Sequence, residues 1–174
     1  MRHRSILLAL LMSLSLVASA EPRRGQTMPT FSVEDIAGAT HTPRDLTGRW
    51  SFVCVMTDKD THPHVRAWYL RLHQAAPALP FITMAALDLF PLIPTGVLRS
   101  QAQESTPRSR WNEVWLSRDG SLARSLGLPE SEVPWVAVVA PDGRVVEIVH
   151  ALLNDEVFAR IMAALPAAPS RAAR

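Results

Sequence analysis

Cysteine is nearly absent from this chain: its 174 residues contain one, Cys54. A single thiol cannot close an internal disulfide. Thiol–disulfide exchange needs an attacking thiolate and a second thiol to resolve the mixed disulfide, so that chemistry has no pair to run on. Lysine is as scarce. Lys59 stands alone among 18 basic residues, a pattern of arginine-rich coding and not of phosphate recognition. A nucleic-acid surface needs Lys and Arg clustered on one face, and no such stripe occurs. Beyond residue 20 no apolar run approaches the roughly 20 residues that span a bilayer. Internal repeats are absent as well.

The first residues carry processing information. Arg2 and Arg4 precede an apolar run from Ile6 to Ala18, and Ala18-Ser19-Ala20 forms an A-x-A site. This pattern predicts a secretory signal peptide over residues 1–20, cleaved before Glu21. No cysteine sits at that site to carry a lipid, and no membrane anchor is expected after cleavage. The mature part then holds 16 basic residues, two fewer than the 18 of the whole chain, against 16 acidic ones. Residues 21–28 show no apolar period and are expected to be a flexible leader. A single domain is expected over 29–165, followed by a disordered Ala/Pro tail over 166–174.

Within the domain, Thr30–Val33 alternates as a strand, and Thr42-Pro43 opens a short helical turn. Trp50–Met56 is a buried strand that contains Cys54. A strand-interior cysteine lacks the exposed, electropositive setting that lowers a thiol pKa, so Cys54 reads as a small buried hydrophobe. The segment Asp58–Asp60 leads into a helix over Pro63–Ala76, whose Val65, Trp68, Tyr69 and Leu72 share one face. Pro80–Ala86 is a second strand. Leu89-Phe90-Pro91-Leu92-Ile93-Pro94 is an apolar loop that must bury itself or bind something. A helix over Val97–Glu104, a short strand over Glu113–Leu116 and a helical turn over Leu122–Leu126 follow. Trp135–Ala140 and Arg144–Val149 flank Asp142-Gly143 as a hairpin. Asn154 caps a final helix lined by Val157, Phe158, Ile161, Met162 and Leu165. This order predicts an α/β domain with a central mixed sheet flanked by helices.

Five segments in this order resemble one family. Phe31–Gly38 is similar to its F-x-L-x-D-x-x-G opening, and Asp45–Gly48 to its L-x-G-K. Ser121–Leu128 is similar to its L-A-x-x-Y-G-V helix, Val133-Pro134 to its cis-proline site, and Pro141–Val145 to its D-x-x-G-R-I turn. Together they resemble the thioredoxin-like superfamily, in particular exported TlpA/ResA-type and redoxin members, over residues 29–165. The leader, the proline-rich loop and the second Asp-Gly turn also resemble the small periplasmic YtfJ-type branch. The resemblance implies a thioredoxin-like fold and a cis bond at Val133–Pro134, a junction where cis is inexpensive. It places Thr61 and His64 where the family carries its two active-site cysteines, with His62-Pro63 between them and Asp60 replacing a tryptophan.

A threonine hydroxyl needs an adjacent base to act as a nucleophile. His64 is the only candidate base, and nothing in the sequence supplies an oxyanion site. Pro63 is explained as a first-turn proline. His62 and His64, with Asp58 and Asp60 upstream, have the chemistry of a copper or zinc site, but a site needs three or four convergent ligands. His41, His73 and His150 cannot be placed from sequence. No metal and no other cofactor is therefore expected. Three classes follow: a redox-inactive binding or accessory module in the periplasm, a periplasmic copper- or zinc-binding relative, and a thiol–disulfide oxidoreductase or peroxiredoxin relative dependent on Cys54. The first is the expectation, with another periplasmic protein or peptide as partner. Its surfaces would be the loop Thr61–His64, the Val133–Pro134 loop, and Leu89, Phe90, Leu92 and Ile93.

Overall fold

The computed structural model describes residues 21–89 and 94–166. Among them one seven-stranded mixed sheet forms, built from β1 (Val33–Asp35), β2 (Thr40–His41), β3 (Ser51–Met56), β4 (Phe81–Ala86), β5 (Val114–Ser117), β6 (Trp135–Val139) and β7 (Val145–His150). Its order is β2-β1-β5-β4-β3-β6-β7. The centre is parallel, β3 beside β4 and β4 beside β5, while β6 and β7 run antiparallel beyond β3. The helices are α1 (His62–Ala75), α2 (Thr95–Ser105), α3 (Ser121–Leu126) and α4 (Asp155–Ala163). The α/β architecture with a mixed central sheet is the one the sequence predicts.

The period of two along β3 sorts its side chains onto both faces. Val53 and Val55 join Trp115, Leu122 and Leu126 beneath α3. Phe52, Cys54 and Met56 face α1 and α4, where Trp68, Leu72 and Ile161 are fully buried. All six residues of β3 are buried, as expected of a central strand covered by helices on both sides. Tyr69 stays half-buried at the edge of the α1 face. Asn154 caps α4 as predicted, its Oδ1 accepting from Val157 N at 2.9 Å. The hairpin closes through Gly143, whose φ of 82° demands a residue without Cβ.

Three expectations need correction. The first strand pairs only from Val33, because its partner β2 is two residues long and starts the ladder at Val33↔His41. The leader is not free: Gly25 N donates to Val145 O at 2.7 Å, Arg144 Nη1 donates to Gly25 O at 2.8 Å, and Met28 is buried. Backbone pairing with the edge strand β7 holds it, a partner that apolar periodicity does not reveal. Ser105–Arg110 is expected from the sequence to be a breaker-rich connector, but a 3₁₀ helix spans Arg108–Glu113 and the next strand starts at Val114, not Glu113. The signal segment 1–20 and the tail beyond Pro166 lie outside the described residues.

Candidate functional site

The loop after β3 lies at the C-terminal end of that strand, where open α/β sheets place their crevices. Asp58 starts it by accepting from Asp60 N at 2.6 Å, and Lys59–Thr61 makes one 3₁₀ turn into α1. His62 and Pro63 are exposed and His64 is half-buried. Thr61 is different: it is completely buried. Its hydroxyl donates to Ser131 O at 3.0 Å. Thr57, also buried, donates to Pro129 O and accepts from Ser131 N, both at 2.9 Å. Two threonine hydroxyls thus hold both backbone groups of Ser131.

Ser131 extends the network. Its Oγ accepts from Val133 N at 3.1 Å and lies 2.9 Å from His150 Nε2. That nitrogen is also 3.1 Å from Val133 O. A carbonyl only accepts, so Nε2 carries the hydrogen in this arrangement. The His150 ring stacks on Trp135 with centroids 3.9 Å apart and planes 2° from parallel. The structure therefore brings the Thr61 loop and the Val133–Pro134 loop together, as the resemblance implies. It joins them through Thr57, Ser131, Trp135 and His150, none of which the sequence reading assigned to the site. The hairpin around Asp142-Gly143 was legible, but Trp135 comes opposite His150 through a register shift between Val138 and Val139 that the pattern does not reveal.

The cis bond is a correction. No peptide bond among the described residues is cis, so Val133–Pro134 is trans. Trans is the lower-energy isomer of an X-Pro bond. In this loop it satisfies Val133 N through Ser131, Val133 O through His150 and Pro134 O through Ala151 N. The fold stands without the cis bond, because β6 still pairs with β3 from Trp135 onward.

Thr61 points inward, with its hydroxyl committed to a carbonyl. Cys54 is wholly enclosed, and burial drives its thiol pKa far above the ordinary value. Among the described residues no three His, Cys, Asp or Glu side chains are grouped to hold a metal ion. Leu89 packs half-buried on the core and donates its N–H to Arg118 O at 2.8 Å; Phe90, Leu92 and Ile93 lie outside the described residues. No helix among the described residues is long and apolar enough to cross a membrane.

No family model and no curated protein matches the chain. Solved structures do. A thiol peroxidase from Chromobacterium violaceum is similar at 13% identity and a TM-score of 0.59, over 82% of this chain and 87% of that one. A thio-disulfide isomerase from Thermus thermophilus is similar at 16% identity and 0.55, over 82% and 96%. DsbF from MTB is similar at 19% identity and 0.55, over 78% and 95%. At such identities the likeness concerns the fold alone. The chain has the thioredoxin-like fold of these structures, and Thr61 and His64 stand where the resemblance places the family's two cysteines.

Proposed function

We propose that the protein is an exported, redox-inactive thioredoxin-fold module that binds a protein or peptide in the periplasm. The observation that carries this reading is the buried Thr61, whose hydroxyl is tied to Ser131 O. Exchange requires an accessible thiolate at that position, and here a neutral side chain serves as a fastener. The same network fixes the two loops relative to each other, which lowers the ordering cost of binding a partner. Exposed His62 and Pro63 and the half-buried His64 and Val133 provide the accessible part of that surface. The named activities of the structural neighbours belong to those proteins, since fold does not transmit function. The basic, apolar pattern of residues 1–20 supports export; a copper or zinc site lacks grouped ligands among the described residues, and the Cys54 thiol is wholly enclosed.

The test is capture from a periplasmic extract, with His62→Ala/His64→Ala as the probe. Both side chains sit at the start of α1 outside the core, so the double variant is expected to keep its melting temperature while losing about tenfold in partner affinity. Zinc or copper would stabilise a metal-binding protein by mass action. An unchanged partner list in the double variant, or a melting temperature raised by metal only in the parent, contradicts the reading.

A further inference from the structure

A groove of about 630 Å³ opens between α1, α2 and the Arg108–Glu113 turn, within the range of small-molecule sites. Its floor is sheet: Met56 from β3, Ala85 from β4 and Leu116 from β5. Val65 and Tyr69 form one wall, Leu98 and Ala102 the other. Leu70 stands at the lip 56% exposed, a large apolar side chain.

The charged side chains that line the mouth are basic, and two of the three are paired with carboxylates beside them. Lys59, Arg66 and Arg110 line it together with His62, and no carboxylate does. Arg110 is held in place, its guanidinium 3.9 Å above the Tyr69 ring and its Nε 2.7 Å from Glu113 Oε2. Lys59 pairs with Asp60 at 2.6 Å. No carboxylate among the described residues pairs with Arg66, which leaves a full positive charge at the rim.

The shape decides between occupants. The floor strands β3, β4 and β5 are each paired on both sides, so a peptide finds no free ladder to extend. A thin apolar chain ending in an anion fits both the floor and the rim. We propose that this groove binds an amphipathic carboxylate of the long-chain fatty-acid class, its alkyl chain on the sheet and its carboxylate at Arg66 and Arg110. The groove shares His62 with the partner surface proposed above, but fatty-acid binding here does not depend on that function.

The experiment is calorimetric titration of the mature chain with laurate below its micelle concentration, beside dodecyltrimethylammonium, which has the same chain and the opposite charge. One laurate is expected per protein, with the cation at least about tenfold weaker, the size of a charge-assisted contact. Arg66→Glu, at an exposed position, should weaken laurate by about the same factor. Ala102→Trp should fill the groove and remove binding, with circular dichroism confirming the fold of each variant. Absent laurate binding, equal binding of anion and cation, or binding that survives both substitutions overturns the proposal. So does an acidic peptide that binds where laurate does not.

Discussion

Thr61 is where this chain departs furthest from the dithiol pattern that its fold suggests. A cysteine there would need to face solvent and ionise. The threonine is buried instead and donates to Ser131 O, so its hydroxyl ties the loop after β3 to the segment before β6. Thr61→Val keeps the shape and removes the donor, leaving the Ser131 carbonyl without that partner. The expected cost is about 1–3 kcal/mol, measured by denaturant unfolding. A variant as stable as the parent would show that the two loops are held together without this bond. Thr57 is a second fastener at the same residue, so some loop order should survive in Thr61→Val.

At the scale of elements, legibility followed the length of the pattern. Helix α1 and strands β3 and β4 carry several apolar residues at a fixed period, and their bounds lie within one residue of those read from the sequence. The two-residue β2 offers no period at all, and its place is set by antiparallel pairing with Val33 and Glu34. The site divides similarly. Its loops were visible through Pro63 and Val133-Pro134, but the Thr57–Ser131 and Thr61–Ser131 contacts link residues 70 or more positions apart. Hydroxyl-to-backbone bonds of that range leave no local trace. The leader was misread because its order comes from β7 and from the burial of Met28, 6% exposed. Met28→Ala is accordingly expected to cost about 2 kcal/mol, and limited proteolysis should leave residues 21–28 attached in the parent. Rapid trimming of that segment would contradict its pairing with the hairpin.

The molecule as a whole has an acid limit set by three carboxylates. Burial raises the Asp35 pKa, but the hydrogen bond from His41 and the backbone donors of Ala39 and Gly38 outweigh it and bring it below its ordinary value. Burial likewise raises the Glu147 pKa, but the hydrogen bonds from Arg160 and Ile148 N outweigh it and bring it below its ordinary value. Asp119 falls to about 2 through the Ser121 and Ser117 hydroxyls and the Ser121 N–H. Depressed folded-state pKa values give stability that is present above the unfolded value, about 4, and lost as pH falls through the folded value. The melting temperature is therefore expected to lose these contributions below about pH 4, and Asp35→Asn should make that acid-side fall shallower. A fall of the same depth in the variant would remove Asp35 from the account.

The redox inactivity proposed above is tested most directly by insulin-disulfide reduction with dithiothreitol or a dithiol donor. The parent and Cys54→Ala are both expected to match the protein-free blank, because Cys54 is fully enclosed in β3 and Thr61 has no sulfur. Turnover above the blank that disappears in Cys54→Ala would contradict the claim, since it would require β3 to open and present its thiol to substrate.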